Sequence, residues 1–361
     1  MVNMDPPDHT RLRFLLSKAF TPRAVARLET AIQQRAQDLV AAVAGQKECD
    51  FAKDIAADLP VATLADVLGV PASDRWLLYD WSNRVIGYQD AEVAASDAVD
   101  ASSATDMARR ALAVRPHPDA CGRMPNPRAQ GGMPDLYAYA RELGSYKRRH
   151  PGSDLMSLLV QAVDDQGSRL SSEEFEQIFW MLSVAGNETL RNSIPGGLYA
   201  LLTHPEEFRR LREDRSLLPA AVEEMLRWWT PVMTFRRTAV ADTELGGLII
   251  RAGEKVVVYF SSANRDEQIF HNANAFNIGR APNEHLALGY GPHFCIGAQL
   301  ARMQMRAMFT AVLDRLDDVE LAGNPVRLRS NYQNGIKSLP IRWRVKVSRY
   351  AGDSYKTGAA S

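Results

Sequence analysis

Leu288-Gly289-Tyr290-Gly291-Pro292-His293-Phe294-Cys295-Ile296-Gly297 sets a single thiol between a glycine-rich turn and the start of an apolar helix. That helix, opening at Ala298-Gln299-Leu300-Ala301-Arg302, is rich in Ala, Leu and Met and is predicted to run to about Leu316. Gly289 and Gly291 permit a tight turn and let the backbone approach a flat ligand where a Cβ would clash. A helix beginning just after a cysteine aims unpaired N–H groups and its positive dipole end at the sulfur, which favours thiolate. Gly297 keeps the first turn thin. A lone cysteine after a turn is usually a structural, buried one. The pattern around this thiol argues instead for a metal ligand, with Cys295 as the donor.

The composition is that of a globular protein with a large core: 361 residues, 46% hydrophobic and 24% charged. Lys plus Arg and Asp plus Glu both number 43, so the net charge is zero. No global basic field draws this chain to nucleic acid or an anionic membrane. Cys49, Cys121 and Cys295 are far apart and share no CxxC spacing, which excludes a disulfide framework and a zinc cluster. The longest apolar runs, such as Ile178 to Gly186, are too short to span a bilayer. The opening Met1-Val2-Asn3-Met4-Asp5-Pro6-Pro7 lacks a signal-peptide pattern, so a cytoplasmic location is expected.

Helical periodicity dominates the rest of the chain. Val25 to Ala44, Pro60 to Leu68, Asp74 to Val85, Asp135 to Arg149, Ser153 to Val163 and Pro219 to Trp229 each predict a helix. Ser171-Ser172-Glu173-Glu174 is a capping box that opens a long helix toward Leu202. Pro195-Gly196-Gly197 should kink that helix and puts its distal half in question. Residues 115–134 carry so many prolines and glycines that a long mobile loop is expected. Val240 to Phe260 alternates and predicts a small antiparallel sheet, Leu321 to Val347 has strand character, and residues 348–361 read as a disordered tail. The expected fold is mainly α with small β sheets, one domain over residues 1–347.

Other residues carry chemistry. Ala185-Gly186-Asn187-Glu188-Thr189 lies inside the long helix, where Gly186 weakens the hydrogen-bond ladder. The Thr189 hydroxyl can take a freed carbonyl or hold a water, and Glu188 offers an exchangeable proton. A small-residue packing notch is the plainer alternative. His9 and Arg13 are four apart on one helix face; Arg237 and His293 are further cationic or donor groups suited to carboxylates. Glu224 and Arg227 stand three apart on one helix. His117, His150, His204, His271 and His285 show no ligand spacing and read as structural or surface residues.

The Cys295 loop closely resembles the haem-thiolate loop of the cytochrome P-450 monooxygenases. Leu288 is a departure, since the family usually has Phe there. The resemblance extends from His9 to about Trp343, and it implies the family's fold, with haem b between the long helix and the helix after Cys295. It implies that Gly186, Glu188 and Thr189 form the oxygen-activating groove, that His9, Arg13, Arg237 and His293 hold the haem propionates, and that Gly289 and Gly291 shape the loop. Arg236 leaves a one-residue ambiguity beside Arg237. Glu224, Arg227 and Arg280 match the family's buried structural cluster. The implied activity is hydroxylation of an apolar substrate by a monomeric enzyme. With no dinucleotide fingerprint or flavin domain, its electrons would come from a ferredoxin and a ferredoxin reductase. Arg11, Arg302 and Arg306 are expected to face that acidic partner. Ser330 to Pro340 looks like the corresponding turn of actinobacterial relatives that oxidise sterol side chains and branched lipids, and Val232-Met233-Thr234-Phe235 should line the pocket. The family's segment before the His9 helix is short here, which suggests either an abbreviated gene reading or an open access channel. Two alternatives stay open: a truncated or degenerate chain without activity, and a cofactor-free helical scaffold.

Overall fold

The structure is a computed structural model that describes residues 1–94, 102–121, 124–129, 131–164 and 166–345. Its helices gather into two apolar clusters, and two helices, Asp58–Leu68 and Ser172–Thr203, contribute to both.

The first part of the chain contributes α1 (Asp8–Ser17), α2 (Pro22–Ala26) and α3 (Glu29–Ala44), then the short strand β1 (Glu48–Asp50) and helices α4 (Asp58–Leu68) and α5 (Arg75–Ile86). Val25 to Ala44 is therefore two helices. The Thr21 side chain caps Ala24 with Pro22 at N1, so the chain starts a helix there, and it restarts at Glu29. A single turn, α6 (Ala91–Ala94), follows, and α7 (Asp106–Leu112), α8 (Pro134–Arg149) and α9 (Leu155–Gln161) complete the cluster that packs around Trp81, Tyr139 and Phe179. Most of residues 115–134 are irregular, as expected, but the segment is pinned: Arg115 donates to Asp80 at 2.8 Å and Arg128 to the Val85 carbonyl at 3.1 Å.

The central helix α10 (Ser172–Thr203) is capped by Ser171 and Glu174 in a complete capping box. It runs unbroken through Pro195, so the distal half that the sequence put in question is helical to Thr203. The reason lies in packing. Cβ atoms built at Gly196 and Gly197 would fall 2.2 Å from the Trp229 ring and 2.9 Å from the Met225 sulfur. The Pro-Gly-Gly run is a contact notch, and the close helix packing it permits offsets the hydrogen bond that Pro195 cannot make. The first half of α10 (Phe175, Phe179, Leu182) belongs to the Trp81 cluster. The second half (Leu190, Ile194, Leu198) belongs to the other, with α3, α11 (Pro205–Glu213) and α12 (Leu218–Trp229).

Strands β2 (Thr234–Thr238), β3 (Thr243–Leu245), β4 (Leu248–Ile250) and β5 (Lys255–Tyr259) follow, with β2 paired antiparallel to β5 and β3 to β4. After α13 (Phe260–Ala263) a long irregular stretch leads to α14 (Ala298–Arg315), which packs along α3 and α12. Strands β6 (Leu316–Leu321), β7 (Val326–Arg327), β8 (Ile336–Ser338) and β9 (Pro340–Val345) end the described chain, β9 lying between β1 and β6 in an antiparallel sheet. The expected tail, residues 348–361, lies outside the described residues. No helix among the described residues is long and apolar enough to cross a membrane.

Candidate active site

Between Ile178 and Leu202, α10 has one exposed residue, Ala185, with half-buried Gly186 and Thr189 beside it. This opening in an otherwise buried stretch of helix lies where the two apolar clusters meet. The Thr189 hydroxyl donates to the Ala185 carbonyl at 3.0 Å, and the Ser193 hydroxyl donates to the Thr189 carbonyl at 2.7 Å. These bonds draw side-chain hydroxyls onto the ladder next to the glycine. Glu188 does not share this face. It is buried one residue round the helix, its carboxylate 2.7 Å from Arg191, which in turn donates to Asn83 at 2.8 Å. The carboxylate expected to offer an exchangeable proton is thus ion-paired with Arg191.

The Cys295 loop has the geometry its glycines suggest. Gly289 and Gly291 take φ of +77° and +67°, values that L side chains rarely adopt. The Cys295 N–H donates to the Leu288 carbonyl at 2.8 Å, closing the turn, and α14 begins three residues after the thiol. Cys295 keeps open surface although its sulfur is set deep among surrounding atoms. Burial pushes the thiol up, against a Gly297 N–H bond and the charges of Arg13 and Arg302, which pull it down. The helix start alone does not make a thiolate here; a bound cation at the sulfur would complete the deprotonation.

Four groups from three segments meet beside this loop. The His9 and His293 rings meet at a tilt of 40° with centroids 4.1 Å apart, and Arg13 donates to the Phe294 carbonyl at 2.6 Å. Burial lowers the basicity of both histidines, and the Arg13 charge adds to this at each. Arg237 bears electrostatically on His293 and lies over the ring of Phe235, two residues away on the same strand face. Strand alternation turns Arg236 to the other face, which resolves the one-residue ambiguity. His9 Nε2 is buried without a hydrogen-bond partner. An orphan donor among cations suits a ligand with carboxylates, and the open thiol beside positive-φ glycines suits a flat metal complex. The residues fit haem: Cys295 would hold the iron, and His9, Arg13, Arg237 and His293 would take the propionates.

The remaining expected positions divide. Glu224, Arg227 and Arg280 do converge: Arg227 gives Glu224 two bonds of 2.7 and 2.8 Å, and Arg280 a third of 3.0 Å, all buried. Their other N–H groups take carbonyls of Asn264, His271, Ala273 and Ala275. Of the three arginines expected to face an acidic partner, two are engaged within the chain. Arg11 pairs with Glu174 and Asp164, and Arg302 with Glu223, while Arg306 is half-buried. Phe235 packs edge-on to Tyr332 at 5.7 Å, joining the Val232–Phe235 segment to the 330–340 turn. Sequence reading missed Arg128, which stands over the Tyr88 ring at 4.3 Å and within 5.7 Å of Tyr332. It also missed Glu223, which looks like an ordinary surface acid until its partners are seen.

An open cysteine on a positive-φ glycine loop, with histidine and arginine groups beside it, suits a haem-thiolate enzyme, and comparison with known proteins agrees on the family. The family model for cytochrome P450 matches residues 139–340. The chain is 40% identical over 346 residues to a steroid C26-monooxygenase of Mycobacterium bovis, covering 96% of this chain and 71% of that protein. It is 38% identical over 348 residues to a methyl-branched lipid omega-hydroxylase of the same organism, covering 95% and 74%. A solved structure of Mycobacterium marinum cytochrome P450 CYP268A2 in complex with pseudoionone is 38% identical, with a TM-score of 0.79 over 94% of this chain and 76% of that one. The chain belongs to the cytochrome P450 family. It is a P450-type monooxygenase, an oxidoreductase whose cofactor is haem b.

Proposed function

We propose that this chain hydroxylates an apolar lipid, a sterol or a methyl-branched chain, in the cytoplasm, as a monomer, with electrons from a ferredoxin and its reductase. Haem b, held by Cys295, supplies the redox chemistry on dioxygen when bound. The observation that carries the reading is the exposed Cys295 on its positive-φ glycine loop, at a molecule whose central helix opens at Ala185 and Thr189. His9, Arg13, Arg237 and His293 fix the orientation of the cofactor. Thr189 holds a proton at the cleft, and Glu188 stands behind it with Arg191 as its partner. Val232, Met233 and Phe235 give the cleft an apolar wall, which suits a lipid substrate. The relatives named for steroid and branched-lipid oxidation favour that class.

The test is a carbon-monoxide spectrum of the reduced protein, followed by turnover of a sterol and a methyl-branched fatty acid with a surrogate ferredoxin system. A strongly red-shifted Soret band is expected from the native chain, and its loss in Cys295→His. An unchanged band in that variant would remove Cys295 as the ligand. Cys49→Ser should leave the band intact, because Cys49 is buried in the β1–β9 pairing with its thiol pushed up to about 12.

A further inference from the structure

Glu223 precedes the buried Glu224 on α12, and its carboxylate collects both flanks of the thiolate loop. From the far flank, seven residues after Cys295, Arg302 donates Nε to Oε1 at 2.7 Å and Nη2 to Oε2 at 2.8 Å. From the near flank, ten residues before, His285 Nε2 lies 3.2 Å from Oε2. The tautomer follows from the other ring nitrogen: His285 Nδ1 accepts the Ala287 N–H at 3.3 Å, so Nε2 carries the proton and donates to Glu223. Ala287 adjoins Leu288, whose carbonyl receives the Cys295 N–H. One carboxylate therefore fastens the segment that enters the turn and the helix that leaves it to α12.

The electrostatics follow the geometry. Burial works to raise the Glu223 carboxyl, but hydrogen bonds from His285 and Arg302 outweigh it and hold it at about 2. It is an anion at neutral pH, and it neutralises a guanidinium whose charge reaches the Cys295 sulfur. A bidentate pair of this kind is geometrically rigid.

We propose that Glu223 is a positioning residue for the iron ligand, fixing the Cys295 loop through His285 and Arg302 and cancelling the Arg302 charge beside the sulfur so as to set the haem reduction potential. This rests on Cys295 being the ligand. A staple that only held the fold would not give the two partners opposite electrical effects.

The experiment is an equilibrium redox titration of the haem-loaded protein in three variants: Glu223→Gln, Arg302→Gln and the double variant. Glu223→Gln uncovers a cation near the sulfur, favours the added electron and should move the midpoint positive. Arg302→Gln uncovers an anion and should move it negative. Each shift is expected at roughly threefold to tenfold in the reduction equilibrium, tenfold being about 59 mV for a one-electron couple. The double variant, which leaves no unpaired charge and so guards against a single variant that folds poorly, should return near the native midpoint. Single-variant shifts of the same sign, or a double variant displaced as far as either single, would overturn the proposal. The reduced carbon-monoxide spectrum of the native protein is read alongside: without a thiolate-type band the Cys295 reading itself falls, which separates the two failures.

Discussion

Thr189 is the residue where chemistry and packing are hardest to tell apart, because its hydroxyl already has a backbone acceptor, the Ala185 carbonyl. A bond of that kind costs the helix little and leaves the hydroxyl oxygen able to accept a hydrogen bond. If the hydroxyl serves proton delivery, Thr189→Ala should keep the thiolate-type spectrum yet send electrons to free hydrogen peroxide, lowering product per electron, with the rate of product formation falling by about 10²-fold or more. Equal coupling in the native protein and the variant would leave Thr189 a packing residue. At this scale the turn at Gly289 and Gly291 was legible in the sequence because local chemistry forces it: both residues take positive φ. The ion pairs of Glu188 and Arg302 were not read: Arg191 stands three residues on from Glu188, a spacing the sequence does show, whereas Glu223 lies 79 residues from Arg302, which periodicity does not encode.

Among elements, α10 shows how tertiary contact overrides a local signal. Pro-Gly-Gly reads as a helix breaker, and taken by itself it is one. In the fold the missing side chains admit the Trp229 ring, which is held in place by its Nε1 bond to the Asn334 carbonyl at 2.7 Å. Gly196→Ala should therefore meet a ring that cannot retreat, and lose about 1–3 kcal/mol as an overpacked site. Gly186→Ala makes the comparison, since its Cβ would press on the terminal methyls of Leu64, which can rotate away. Urea unfolding of the two variants checks this: similar midpoints would mean that the notch has slack. The capping box at Ser171 was read correctly because a cap is a local device, whereas the break between α2 and α3 was missed because the apolar stripe continues across it.

The whole molecule relies on a polar centre to fix chain that has little regular structure. Between α13 and α14 the backbone turns repeatedly, and its carbonyls at Asn264, His271, Ala273 and Ala275 are met by Arg227 and Arg280. Both arginines are organised by Glu224, which also receives the Asn277 N–H at 2.9 Å. Sequence supplied the three residues but gave no measure of their burial, since an acid and a base three apart on a helix are normally a solvated pair. Here both side chains are fully buried. Removing the anion alone leaves two buried cations short of a partner, a loss of about 3–5 kcal/mol, set against a total stability of about 5–15 kcal/mol. Glu224→Gln should accordingly fold poorly or unfold at much lower urea. The control is Glu320→Gln, which breaks the exposed pair with Arg342 and should change stability by no more than about 0.5 kcal/mol. Matching losses in the two variants would mean that the 264–280 segment is held by its apolar contacts and not by this cluster.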